Sequence, residues 1–174
     1  LGMAVTTFTA SERARKTFSN AVKGLVVAME LADPKRKGHS ERVANYAEAL
    51  GGAVGMGRAD RKNLRRAGLL HDIGKIGIPL DYIEKPGPLT HEEYEVVKQH
   101  PRIGFEICKP LRTMAPLLLL IRGHHERLDG RGYPDGLKGE EVPLPLRCLS
   151  ISDVYDALTS DRAYRKALPG ESAL

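Results

Sequence analysis

Apolar residues recur at steps of three and four along most of the 174-residue chain, and stretches of β-branched alternation are few. That periodicity belongs to α-helices that bury one face, so the expected class is all-α, a compact helical bundle. Ser11 is placed to cap a first helix through Phe18, Leu25 and Met29, which ends near Asp33-Pro34 because proline disfavours helix in the residue before it. A second helix is predicted over 40–50, with Gly51-Gly52 as its stop, and a third over 58–70, where Leu64, Ala67 and Leu70 share a face. Thr90 and Glu93 have the spacing of a capping box and open a helix that Pro101 is expected to interrupt after His100. Further helices are predicted over 102–109, 114–126 and 145–160, and the glycine-rich stretch 127–142 as an ordered loop.

A chain of this length buries about two-thirds of its unfolded surface, enough for one real core. Its 41% hydrophobic and 28% charged content excludes a wholly disordered chain. The longest apolar runs, 24–29 and 117–121, fall far short of the roughly 20 residues needed to cross a bilayer, and residues 1–8 carry no basic-then-apolar leader, so a cytoplasmic location is expected. Cys108 and Cys148 stand in no close pair and read as buried thiols. The net charge of +5 suits anionic partners, but with no Trp and three Phe the aromatic–basic alternation of single-strand binders is missing, and no DNA or RNA polymer is expected. No repeat divides the sequence. The domain is placed at 25–174, with 1–24 as an N-terminal helix and the one place for a linker from an upstream domain.

The positions of the histidines carry the chemistry. Of six, five fall at the beginning or end of predicted helices: His39, His71, His100, His124 and His125. Asp72 adjoins one of them and Asp153 lies on the last helix. A single histidine at a helix end is usually a satisfied polar group. Two dyads, His71-Asp72 and His124-His125, each following an apolar helical stretch, point instead to a shared cavity, where imidazole and carboxylate suit divalent transition metals and a carboxylate can bridge two of them. His91, in a first helical turn beside two glutamates, is read as structural.

These residues carry a family resemblance. His71-Asp72-Ile73-Gly74-Lys75-Ile76-Gly77-Ile78-Pro79 resembles the signature of the HD metal-dependent phosphohydrolases. His124-His125-Glu126-Arg127-Leu128-Asp129-Gly130-Arg131-Gly132-Tyr133-Pro134 resembles the second signature that defines the HD-GYP subfamily. The resemblance also covers Gly38-His39-Ser40-Glu41-Arg42-Val43, Lys85-Pro86-Gly87, His100-Pro101 and Asp153-Val154-Tyr155-Asp156-Ala157-Leu158-Thr159-Ser160-Asp161-Arg162, and so extends over roughly residues 25 to 167.

The resemblance implies a helical bundle of the HD superfamily around a buried dinuclear metal site, and hydrolysis of cyclic di-GMP, a bacterial second messenger, to linear pGpG, to GMP, or to both. By motif position one ion is held by His39, His71, Asp72 and Asp153 and the other by Asp72, His100, His124 and His125, with Asp72 as the bridge. Where some members use a glutamate for a third ion this chain has Lys35, so two ions are expected. Iron and manganese are the leading candidates and other transition metals remain open. A hydroxide shared by two cations forms near neutral pH, which suits phosphodiester cleavage. Lys75, three residues beyond Asp72, is expected to hold a non-bridging oxygen or the leaving oxyanion. Arg162 and Arg165 match positions where members present basic side chains to substrate phosphates. The Asp129, Gly130, Gly132, Tyr133, Pro134 loop is linked in the family to contacts with GGDEF-type cyclase domains, and it is expected to shape a wall of the site, to offer a docking surface, or to do both. Members usually continue for further helices and carry a receiver or sensor domain, so the domain is expected to be C-terminally shortened, and a homodimer is compatible with the family pattern. The alternative function is a non-catalytic cyclic di-GMP sensor or docking module. Another HD phosphohydrolase activity, on a nucleotide monophosphate or an alarmone, is disfavoured by the glycine-tyrosine-proline loop.

Overall fold

A computed structural model of the chain describes residues 37–160 and 166–173, together with Arg13, Asn20, Gly24 and Leu25. Those four isolated positions are helical; the rest of the expected first helix, together with Lys35, Arg162 and Arg165, lies outside the described residues. The described residues form helices without a strand: α1 (His39–Ala53), α2 (Arg58–Leu70), α3 (Leu80–Ile83), α4 (His91–Val97), α5 (His100–Cys108), α6 (Leu118–Gly123) and α7 (Leu144–Thr159), with short 3-10 turns at Ile73–Gly77, Arg112–Leu117, Gly139–Glu141 and Gly170–Ser172. None is long and apolar enough to cross a membrane.

The apolar stripes meet as their spacing requires. Val43 and Ala47 of α1, Leu64, Ala67 and Leu70 of α2, Ile121 of α6 and Leu146 and Leu149 of α7 are buried in one core, which Ile73 and Leu117 complete. Burying a side chain of this size is worth about 1.5–3 kcal/mol, so the stripes alone hold α1, α2, α6 and α7 together. Helix α1 packs along both α2 and α7, while the 73–77 turn and α6 pack on α5. Cys108 and Cys148 are buried free thiols, as their spacing suggested.

Three boundaries differ from the sequence reading. Helix α1 runs through Gly51 and Gly52 to Ala53; the residue with the left-handed φ that ends a helix is Gly55, at 82°. The break between α4 and α5 falls before His100, not after it. Pro101 stands in the first turn of α5, where its missing N–H costs nothing, and the arrangement makes His100 the first residue of a helix. The stretch expected as one helix over 114–126 is a 3-10 turn containing Pro116 followed by α6, which ends at Gly123 and leaves His124 as its cap. The Thr90 capping box forms as expected, with Glu93 N–H donating to Thr90 Oγ1 at 3.3 Å and Thr90 N–H to Glu93 Oε2 at 2.7 Å.

Candidate metal centre

Four helix ends converge on one buried point. His39 opens α1, His71 caps α2, His100 opens α5 and His124 caps α6; all four are at most 3% exposed. Asp72 begins the 73–77 turn directly after His71, and Asp153 reaches in from the middle of α7. The 73–77 turn sits against α5 because residue 74 lacks a side chain: a Cβ there would lie 1.9 Å from the His100 carbonyl oxygen and 2.5 Å from Gly104 N. That close approach sets the spacing between Asp72 and His100.

All seven side chains expected at the centre are brought together, and they divide into two groups. Asp72, His100, His124 and His125 form one and His39, His71 and Asp153 the other, each with one donor atom per residue within 4.8 Å of the rest. Asp72 faces both. Its Oδ1 lies 3.3 Å from His100 Nε2 and 3.9 Å from His124 Nε2, while its Oδ2 lies 3.4 Å from His71 Nε2 and 3.8 Å from His39 Nε2. Asp153 Oδ1 stands 3.4 Å from His39 Nε2 and 3.8 Å from His71 Nε2.

The rings are locked from behind. His71, His100 and His124 each place Nδ1 against the carbonyl three residues earlier, those of Gly68, Val97 and Ile121, at 2.7, 2.8 and 2.8 Å. A carbonyl only accepts, so Nδ1 carries the proton and a neutral ring presents its Nε2 lone pair inward. Two consequences test the fit to a cation. The Nε2 atoms of His39 and His71 are buried with no hydrogen-bond partner, an expensive state for a polar atom. The Nε2 atoms of His100 and His124 face each other at 3.2 Å, lone pair to lone pair. A divalent cation resolves both, and the donor set of imidazoles and carboxylates fits one.

Protonation agrees. Burial, with the neighbouring imidazoles His125, His71 and His100, holds His124 well below the usual histidine range, and burial with His100 pushes His125 down to about 3, so both rings keep their lone pairs at neutral pH. Burial works to raise Asp153, but His39 and His71 outweigh it and the carboxyl is held below its ordinary range. For His71 burial pulls down while Asp72 and Asp153 pull up, and the net shift is upward.

Lys75 lies at the rim with Nζ donating to Asp72 Oδ2 at 2.6 Å. The Asp129–Pro134 loop reaches the centre through Tyr133, whose ring stacks on His125 at 4.7 Å with 30° between planes. Gly130, with φ of 75°, turns the loop; Asp129 pairs with Arg127 at 2.7 Å, and the Pro134 carbonyl accepts from Arg102 at 3.2 Å. Gly132 lies beside Tyr133, between the exposed tip and the stacked ring. His91 is exposed in the first turn of α4, away from the cluster. Sequence reading gave no role to three residues that support the site. Glu126 accepts from the N–H groups of Asp135, Gly136 and Leu137 at 2.6, 3.1 and 3.0 Å and so ties down the loop's far end. Asp156 and Arg42 stand behind His39. The available signal was position: Glu126 follows His125, and Asp156 is one helical turn beyond Asp153.

A helical fold closed around such a cluster defines a metal-binding domain of the HD type. The HD domain family profile matches residues 25–174, and the chain belongs to this family, in its HD-GYP branch. It is 39% identical over 166 residues to the cyclic di-GMP phosphodiesterase response regulator RpfG of Xanthomonas campestris, covering 94% of this chain and 43% of that protein. It is 41% identical over 148 residues to a cyclic di-GMP phosphodiesterase of Thermotoga maritima, covering 83% and 40%. A 3'3'-cGAMP-specific phosphodiesterase of Vibrio cholerae is 40% identical over 146 residues, covering 84% and 32%. The chain thus spans less than half the length of these relatives. Among solved structures, Bd1817 of Bdellovibrio bacteriovorus, described as an HDG"Y"P protein, shares the fold with a TM-score of 0.65 at 23% identity, covering 78% of this chain and 43% of that one. The HD domain of the Listeria monocytogenes phosphodiesterase PgpH, solved with cyclic-di-AMP, does so with a TM-score of 0.61 at 22% identity, covering 80% and 74%.

Proposed function

We propose that this domain is a phosphodiesterase that hydrolyses cyclic di-GMP with the help of two divalent cations, iron or manganese. The observation that carries this reading is the double aspect of Asp72, one oxygen turned to each histidine group. When bound, such cations lower the pKa of water and offset charge on phosphoryl oxygens.

The chain's own residues supply the rest. The locked imidazoles need no reorganisation to present their lone pairs, which preorganises the centre. Lys75 holds an ammonium beside Asp72, where it can bind a non-bridging phosphate oxygen or stabilise the leaving oxyanion. Arg162 and Arg165 serve the substrate's phosphates. Burial of the cluster keeps bulk water from diluting these charges. The relatives' names support a cyclic dinucleotide as substrate, and two of the three specify cyclic di-GMP.

The test is turnover of cyclic di-GMP, with 3'3'-cGAMP in parallel, by protein of measured metal content, beside Asp72→Ala. Wild type is expected to prefer cyclic di-GMP and release pGpG, GMP or both, and Asp72→Ala to lose turnover. Activity untouched by that change removes the catalytic scheme. Tight binding of the dinucleotide without turnover replaces it with a sensor or docking role, in which the Asp129–Pro134 loop meets a GGDEF-domain protein.

A further inference from the structure

Three of the buried imidazoles are braced by a neutral carbonyl, and His39 is not. Its Nδ1 meets Asp156 Oδ2 at 2.7 Å, a carboxylate 117 residues away in sequence and only 1% exposed. The second oxygen is occupied as well: Arg42 Nε donates to Asp156 Oδ1 at 2.6 Å and Arg42 Nη2 to Oδ2 at 3.1 Å, a bidentate pair. Arg42 lies one helical turn beyond His39 on α1, and Asp156 one turn beyond Asp153 on α7. The two helices therefore face each other in consecutive layers. His39 and Asp153 form the inner layer, 3.4 Å apart, and Arg42 and Asp156 the layer behind it. Arg42 Nη2 also reaches Ser160 Oγ at 3.3 Å, where α7 ends.

We infer that Asp156 is a positioning residue for the metal centre, and that Arg42 holds it in place. By accepting the Nδ1 proton, Asp156 fixes the tautomer and plane of His39 and leaves the Nε2 lone pair aimed at Asp72 and Asp153. A carboxylate partner makes an imidazole a stronger donor than a carbonyl partner does. His39 is thereby set apart from His71, His100 and His124, and the His39, His71, Asp153 group is the one that Asp156 serves. An asparagine at 156 keeps the size of the side chain but has one accepting oxygen for two donors, and it can turn an N–H toward His39, which favours the opposite tautomer.

The inference rests on the two-cation reading only for the number of ions. In calorimetric titration of Mn²⁺ into the metal-stripped chain, wild type is expected to take up two ions; Asp156→Asn is expected to weaken one by about 10–100-fold and leave the other unchanged. Equal weakening of both, or of neither, overturns the positioning role. Uptake of a single ion by wild type overturns the two-cation reading instead, and the ring itself then decides. The ¹⁵N shifts of His39 in the metal-free wild-type protein are expected to report a proton on Nδ1. A proton on Nε2 overturns the inference, and this measurement requires no variant to fold.

Discussion

The Nε2 atoms of His100 and His124 stand 3.2 Å apart although both rings donate from Nδ1 to a backbone carbonyl. Two lone pairs at that distance repel, and a cation drawing on both converts the repulsion into attraction. Added Mn²⁺ is therefore expected to stabilise the folded chain. At one hundred times the dissociation constant a single site contributes about 2.7 kcal/mol, which for a protein of this size raises the unfolding midpoint by roughly 5–10 °C. Differential scanning calorimetry with and without a chelator checks this; a midpoint that ignores Mn²⁺ counts against the centre.

Tyr133 braces His125 by stacking, a contact that phenylalanine keeps and alanine loses. Tyr133→Phe is expected to leave stability near wild type. Tyr133→Ala is expected to cost about 0.5–1.5 kcal/mol beyond the lost burial and to weaken cation uptake, since His125 then lacks its support. Urea unfolding and a Mn²⁺ titration of the two variants separate these outcomes, and equal behaviour of the two variants excludes the brace.

Arg122 holds the far end of the loop to α6 through Asp135, with Nε to Oδ2 at 2.7 Å and Nη2 to Oδ1 at 2.6 Å. The hydrogen bond from Arg122 holds the Asp135 carboxyl below its ordinary value of 3.8. A depressed carboxylate stabilises the fold above its unfolded value and loses that contribution as the pH falls through the lower folded value. The advantage of wild type over Asp135→Asn is expected to be present at pH 6, small because the pair is partly exposed, under about 1 kcal/mol, and to shrink as the pH drops below 3.8. Unfolding free energies of both proteins across that range show it, and a difference that grows toward acid contradicts the assignment.

Gly74 has no room for a methyl group, because a Cβ there meets the His100 carbonyl oxygen at 1.9 Å. Gly74→Ala is expected to push α5 away from the 73–77 turn, destabilise the protein by about 1–3 kcal/mol or more, and separate Asp72 from His100 so that cation uptake falls. Gly87→Ala, where nothing lies within 4 Å, serves as the control and is expected to be close to neutral. Thermal unfolding and metal titration of the pair check the contrast.

Much of this was legible in the sequence, for reasons that can be named. Helix α2 was readable to the residue because Leu64, Ala67 and Leu70 repeat at helical spacing over an uninterrupted stretch. The dyads His71-Asp72 and His124-His125 were readable because polar pairs following apolar helices are costly unless they share a purpose, whereas the full set of seven and its division between two ions came from the family resemblance. Helix boundaries at 53, 97 and 123 were not, since a glycine is as compatible with a tight helix interior as with a stop, and a proline as compatible with a helix start as with a break. Asp156 and Glu126 escaped because their partners are set by tertiary packing: one meets a ring 117 residues away, the other three amides of a loop whose course no local pattern specifies.

His39 and Asp153 come within 3.4 Å of each other although they lie on α1 and α7, helices far apart in sequence. A nascent chain that has not yet released α7 therefore carries an incomplete donor set, and the His39, His71, Asp153 group is complete only once α7 has packed on α1. A cation held from both sides would fasten α1 to α7, so that neither could peel away without first surrendering it.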